Sequence, residues 1–238
     1  SGQIAGNGDV SLTVKNVLDI QDASIQSGKN LSIEASAMPL SGNLSANRDM
    51  RLTLHDSDLS NEAAAENFGN LRAGRNLTAN LRGNVYNQRA MNAGGTLSLA
   101  TTGSLTQTAV GEISGKSLAI HTADIENRGL MQADEGAAIT ASNLKNNATG
   151  RIYGNTIHVQ ASHIQNEKNA DLKGAVIASE ADAGKNRLST GTFSFSDLKN
   201  EASMPSNTIV TDIKDTMTGK RPTTMGDTIN TMQKKTLM

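Results

Sequence analysis

Aliphatic and polar residues alternate in short runs along this chain, and the runs recur about every twenty residues. One marker is a polar residue, an aliphatic residue, any residue and then Asn, as in Asp124-Ile125-Glu126-Asn127. Its aliphatic positions are Leu59, Val85, Leu105, Ile125, Leu144 and Ile164, with steps of 26, 20, 20, 19 and 20 residues. A fixed period of this length predicts a solenoid, in which each repeat is one structural unit stacked on the next.

A second marker introduces a strand-like segment in each repeat. It is Gly or a small residue, two polar residues and then aliphatic-x-aliphatic, and copies begin at Gly28, Gly74, Gly94, Gly115 and Gly154. Period-two alternation predicts a strand with one buried face, and the Gly is expected to supply the backbone angles of a tight corner. Coils with two or three such strands predict an all-β fold, a right-handed parallel β-helix with strands ~4.8 Å apart.

The period breaks at two places. The 26-residue step from Leu59 to Val85 predicts an insertion, and residues 62–67, Glu-Ala-Ala-Ala-Glu-Asn, are expected to form the inserted loop with one helical turn. A step of 34 residues separates Ile164 from the next copy of the marker at Leu198, which predicts one longer or decorated coil. Insertions at the corners of a β-helix leave the neighbouring sheets undisturbed.

The sequence divides into three parts. Residues 1–171 predict a β-helix shaft of eight or nine coils, a rod of roughly 40 Å. Residues 172–202 are expected to continue the β-helix, and residues 203–238 form a Thr- and Met-rich tail that is expected to be irregular, partly disordered or helical. The repeat is already under way at Ser1, so we expect the chain to be a fragment of a longer protein.

Composition narrows the function classes. The formal net charge is −1, so no strong global field favours nucleic acid or an acidic membrane. The absence of Cys excludes disulfides and cysteine-ligated zinc. No apolar run is long enough to span a bilayer. Aromatic residues make up only 2% of the chain, so small and medium aliphatic side chains must fill a long, thin core.

The Asn residues of the first marker are expected at corners, where Asn tolerates left-handed backbone geometry and bonds the next coil. Asn127, Asn146 and Asn166 are therefore predicted to form a ladder that satisfies turn amides. The alternative interpretation is that these Asn residues form a polar stripe that binds a ligand.

No catalytic, cofactor-binding or metal-binding residue is assigned from the sequence. The histidines lack the spacing of a metal site, and each is expected to be a solvated surface residue: His55, His121, His158 and His163. Asp56 and Asp58 form the densest acidic group, and they would carry the chemistry if the protein were a carbohydrate-cleaving β-helix. Gly/Asp-rich calcium repeats are absent, so no metal is implied.

The segment Leu172-Lys173-Gly174-Ala175-Val176-Ile177-Ala178-Ser179, followed by Lys185-Asn186 and Thr190-Gly191-Thr192, resembles the haemagglutinin repeats of the filamentous haemagglutinin family. That family includes the contact-dependent growth inhibition exoproteins. The repeats of residues 4–171 are similar to the β-helical shaft of the same family. The Asn-Pro motif of the family's secretion domain and the Val-Glu-Asn-Asn junction that often precedes a toxin do not occur in this sequence.

The resemblance implies a secreted, two-partner system, in which a Gram-negative outer-membrane transporter exports a long exoprotein to the cell surface. The expected function is a non-enzymatic structural shaft that presents a distal binding or toxin region. The alternative is a direct adhesin whose exposed face or insertion loop binds a receptor, glycan or protein, on a host or neighbouring cell. A carbohydrate-active enzyme is the third interpretation. We expect the protein to be a monomer, and the alternative is that monomers stack end to end. We expect no nucleic-acid partner.

Overall fold

A computed structural model describes residues 2–55, 59–60, 69–173, 175–178 and 187–196. The inserted loop at 62–67 and the tail at 203–238 lie outside the described residues. Within the described ranges every regular element is a strand. In those same ranges, no helix has the length and apolar character needed to cross a membrane.

Twenty strands follow one another along the chain. They are β1 Gln3–Gly6, β2 Val10–Thr13, β3 Ser24–Ser27, β4 Leu31–Ala35, β5 Asn43–Ala46, β6 Met50–Leu54, β7 Leu59–Ser60, β8 Asn70–Ala73, β9 Leu77–Leu81, β10 Val85–Asn87, β11 Ala90–Ala93, β12 Thr96–Thr101, β13 Leu105–Gln107, β14 Glu112–His121, β15 Asp124–Asn127, β16 Leu130–Asn146, β17 Arg151–Tyr153, β18 Thr156–Lys173, β19 Ala175–Ala178 and β20 Arg187–Ser196. The long strands β14, β16 and β18 continue around corners, so successive parts of each join different sides of the coil.

The strands stack in parallel into three ladders, one for each side of a coil. The first ladder begins with β1, β3 and β5, and the second begins with β2, β4 and β6. The third begins with β7, β10 and β13. All of these pairings are parallel, and together they form a β-solenoid of about 8 turns, which confirms the predicted fold class.

The third ladder follows the first sequence marker. Leu59 pairs with Val85 across the 26-residue step, so the insertion lies within a single coil, as predicted. The ladder then runs through Leu105, Ile125 and Leu144 to Ile164, with every step at the predicted partner. The prediction for the next step was wrong, because Ile164 pairs with Leu188 and not with Leu198. The marker does not identify Leu188, because the Arg-Leu-Ser-Thr context of this residue lacks the Asn.

The core is a continuous column of aliphatic side chains contributed by all three ladders. In the second ladder Leu77, Leu97 and Leu118 are in register, and each is at most 2% exposed. The strands alternate buried and exposed positions, so one face of every ladder points into the column. Because neighbouring coils bring the same residue class into register, apolar side chains stack on apolar side chains along the whole column.

Gly28, Gly74 and Gly94 of the second marker permit close approach between coils, which corrects the expectation that the marker glycines supply unusual backbone angles. A Cβ at Gly28 would lie 2.3 Å from the Asn7 carbonyl oxygen, and one at Gly74 would lie 2.2 Å from that of Asn47. Among the described glycines, positive φ occurs at Gly83 and not in this marker. Stacking at a sharp corner brings two backbones so close that a side chain has no room.

We expect the substitution Leu97→Ala to lower the free energy of unfolding by about 2–5 kcal/mol, because it leaves a cavity between Leu77 and Leu118. Chemical denaturation of the purified protein measures the change. Ser98→Ala is the matched control, since Ser98 lies on the outward face of the same strand. Similar losses for both variants would contradict the inward orientation of Leu97.

Candidate functional site

Buried and half-buried amide side chains form a ladder at the corner that follows the third ladder. Asn127 Nδ2 donates to Asn146 Oδ1 at 2.8 Å, and Asn146 Nδ2 donates to Asn166 Oδ1 at 2.8 Å. Earlier in the rod, Asn87 Nδ2 lies 3.4 Å from Gln107 Oε1. The ladder predicted for Asn127, Asn146 and Asn166 is therefore confirmed, and Gln107 takes the same position in the coil where Asn is replaced.

The same amides bond the backbone of the turns. The Gly129 amide donates to Asn127 Oδ1 at 3.1 Å, and Asn146 Nδ2 donates to the Gly150 carbonyl at 3.1 Å. None of the ladder residues adopts a left-handed backbone, since Asp22 is the non-glycine residue with positive φ in the described ranges. The expectation of left-handed Asn was wrong. These residues are placed at the corner by their paired donor and acceptor groups.

A second polar ladder, which the sequence reasoning did not identify, supports the corner before the second ladder in the early coils. Asp9 Oδ1 accepts both the backbone N–H and the side-chain amide of Asn30, each at 3.0 Å. Asp49 Oδ1 accepts the same two groups of Asn76, at 3.1 and 3.0 Å. The Thr96 amide then donates to Asn76 Oδ1 at 2.9 Å. The available signal was the polar residue just before the first aliphatic residue of the second marker.

The histidines lie apart on the surface, as predicted. His55 Nε2 is 3.0 Å from Glu34 Oε1, and both side chains are about half exposed. His163 is exposed and follows Asn143 and Asp124 in register along the third ladder. Among the described residues, no group of three or more acidic or histidine side chains could hold a metal ion. The acidic pair at positions 56 and 58 lies outside the described residues.

Exposed ion pairs join neighbouring coils without forming a charged pocket. Lys145 Nζ lies 3.0 Å from Glu167 Oε1, and this hydrogen bond holds the pKa of the Glu167 carboxyl below its usual range. Lys116 Nζ and Glu135 Oε1 are 2.9 Å apart, and the bond raises the pKa of the lysine. Such exposed pairs contribute little to stability.

An open groove of about 520 Å³ crosses the corner between the second and third ladders and extends over four coils. Its floor consists of buried small side chains: Thr101, Thr122, Ala141 and Ala161. One rim carries His121, Thr140 and Gln160, and the other carries Thr102, Ala123, Ser142 and Ser162. The sequence reasoning missed this groove, although a small residue recurs at the floor position in each of the four coils.

We expect Asn127→Ala to destabilise the protein by about 1–3 kcal/mol, because the Gly129 amide and Asn146 Oδ1 lose their shared partner in a buried setting. Thermal unfolding of the purified protein measures the loss. Asn143→Ala is the control, since Asn143 is exposed and bonds only across the surface to Asp124 Oδ1 at 2.5 Å. That variant should change stability by no more than about 0.5 kcal/mol. An equal effect at both positions would show that the buried ladder has no special role.

Comparison with known proteins assigns no family to this chain. A scan against models of protein families matches none of them. A search of curated proteins and a search of solved structures likewise find no match. The functional assignment therefore depends on the residues and the geometry described above.

Proposed function

We propose that this chain is a structural shaft segment of a secreted, surface-exposed bacterial exoprotein of the haemagglutinin type, which presents a distal binding or toxin region. The observation that carries this proposal is the unbroken stacking of coils around one aliphatic column, with the same three ladders repeated through about 8 turns. At ~4.8 Å per coil, that stack is a rod of roughly 40 Å. Each added repeat lengthens the rod by one strand spacing, so the number of repeats sets the length of the rod.

The interactions between coils make such a rod stiff. Successive coils are joined by parallel strand pairing and by apolar contact in the core. Side-chain ladders add hydrogen bonds at one corner in the early coils and at another corner in the later coils. Bending the rod would lengthen these bonds on one side, so the stack resists bending. A rod of this kind holds whatever follows it at a fixed distance from its anchor.

The resemblance of residues 172–179 to haemagglutinin repeats supports the assignment to a two-partner exoprotein. The absence of Cys supports export in an unfolded form through an outer-membrane transporter, because no disulfide loop would obstruct the chain. Because each coil contacts only its neighbours, folding can propagate coil by coil outside the membrane. We propose that this propagation helps to draw the chain outward.

A direct adhesin is the second candidate function, and the groove across four coils is the observation that favours it. A pure spacer has no need for a concave surface at one corner. The adhesin hypothesis also has a version in which the insertion loop binds the receptor. The residues of that loop lie outside the described ranges. The carbohydrate-cleaving alternative depends on Asp56 and Asp58, which also lie outside them.

We expect Leu118→Asp to reduce surface display of the full-length exoprotein severalfold, because a carboxylate in the core prevents its coil from stacking on the next. Protease accessibility on intact cells measures display. The matched control is Ala119→Asp, which introduces the same charge one residue further on, at a position that is not part of the core. Normal display of the Leu118 variant would count against folding-driven export and against the shaft proposal.

A further inference from the structure

The corner between β1 and β2 contains the one Asn-Gly dipeptide of this sequence, Asn7-Gly8. The two residues form a bend, in which Asn7 is exposed and Gly8 is half-buried. Asn is a thermolabile residue, because the backbone nitrogen of the following residue can attack its side-chain Cγ. Gly in the following position favours this attack, since it has no Cβ to crowd its own nitrogen. The rate at Asn7 then depends on how tightly the fold holds the two reacting groups.

The fold leaves both reacting groups unengaged at this corner. A Cβ at Gly8 would meet no atom within 4 Å, so the space around the Gly8 backbone is open. Within the described part of the chain, neither the Asn7 side chain nor the Gly8 N–H takes part in a hydrogen bond. The Asn7 side chain can therefore rotate until its Cγ lies against the Gly8 nitrogen.

The other Asn residues of the described ranges lack one of these conditions. The ladder residues have engaged amides, as at Asn76, whose Nδ2 donates to Asp49 Oδ1 at 3.0 Å. Asn side chains without a hydrogen bond occur elsewhere on the surface, but a long or branched side chain follows each of them and crowds the nitrogen. These pairs are Asn16-Val17, Asn47-Arg48, Asn80-Leu81 and Asn155-Thr156.

We propose that Asn7 is a site of spontaneous deamidation. The Gly8 nitrogen gives its proton to hydroxide and bonds to the Asn7 Cγ, and the side-chain amide leaves as ammonia, so that a cyclic succinimide forms. Water then opens the ring at either carbonyl carbon. One product has aspartate at position 7, and the other has isoaspartate, in which the chain runs through Cβ and Cγ. This inference goes beyond the shaft function, because it assigns a covalent modification to one corner.

Isoaspartate at this position weakens the contacts between the first two coils. The Gly8 carbonyl accepts hydrogen bonds from the Lys29 amide at 3.1 Å and from the Ser27 hydroxyl at 2.8 Å. The Asn7 carbonyl oxygen lies against Gly28, where a Cβ would be only 2.3 Å from it. The isoaspartyl linkage adds a methylene group to the backbone and converts this carbonyl into a carboxylate. The corner of the first coil then separates from the second, while the later coils keep their neighbours.

Incubation of the purified chain at mildly alkaline pH, followed by tryptic peptide mapping with mass spectrometry, tests the proposal. Residues 1–15 form one tryptic peptide, and residues 30–48 form another that contains Asn43 and Asn47. We expect the first peptide to convert with time into two isomeric acids that separate by chromatography. The second peptide is the internal reference and should keep its amides severalfold longer. A sample taken at the start corrects for deamidation during digestion.

Two variants identify the cause of the reaction and of its effect. Gly8→Ala adds a Cβ where there is room, at a residue without positive φ, so the variant should fold and deamidate severalfold more slowly. Asn7→Asp introduces a charge without lengthening the backbone. Hydrogen exchange should be faster at Val10–Thr13 in the isoaspartate product and unchanged at Thr96–Thr101. The Asn7→Asp variant should show a smaller increase.

Deamidation of Asn7 that is no faster than that of Asn43 and Asn47 would overturn the proposal. An unchanged rate in a folded Gly8→Ala variant would do the same. Equal hydrogen exchange at Val10–Thr13 before and after the modification would refute the loosening of the first coil. Surface display enters none of these measurements, so their failure leaves the shaft proposal to its own test.

Discussion

The in-register stacking of each coil on the next is the constraint on which the rest of this structure depends. Parallel pairing on three sides places every residue above the equivalent residue of the previous coil, as with Leu77, Leu97 and Leu118. A residue type that packs well at one position therefore packs well at the equivalent position of each coil. A residue that packs poorly disturbs the contacts with both the preceding and the following coil. This explains why a core of aliphatic side chains, almost free of aromatics, remains buried to within a few per cent over most of the rod.

The corners of such a stack are less stable than its sides, because some backbone groups at a turn have no hydrogen-bonding partner in a strand ladder. Two side-chain ladders meet this need in different halves of the rod. Asp and Asn alternate at the corner before the second ladder in the early coils, and Asn or Gln continues at the corner after the third ladder in the later ones. Both use a side chain that donates to one coil and accepts from another, so the ladders also fix the register between coils.

A surface built from repeats is uniform except where residues depart from the pattern of their position. Small buried residues, from Thr101 to Ala161, occupy four successive coils at the corner where the surface is concave. The charged residues show no comparable concentration, since they form exposed pairs such as Lys145 with Glu167. Shaft and groove are compatible roles, because the groove occupies one corner and leaves the three ladders intact.

The sequence by itself determined the period, a coil of two or three strands and the partners of Leu59 through Ile164, because burial of one face imposes the same alternation on every repeat. It also determined the amide ladder at Asn127 and Asn146. Only the tertiary structure decided that Leu188 follows Ile164, that the marker glycines permit close approach of two backbones, and that small residues at one corner leave a groove. These features depend on distances between residues some twenty positions apart, and the one-dimensional pattern fixes which residues stack but not how much space remains between them.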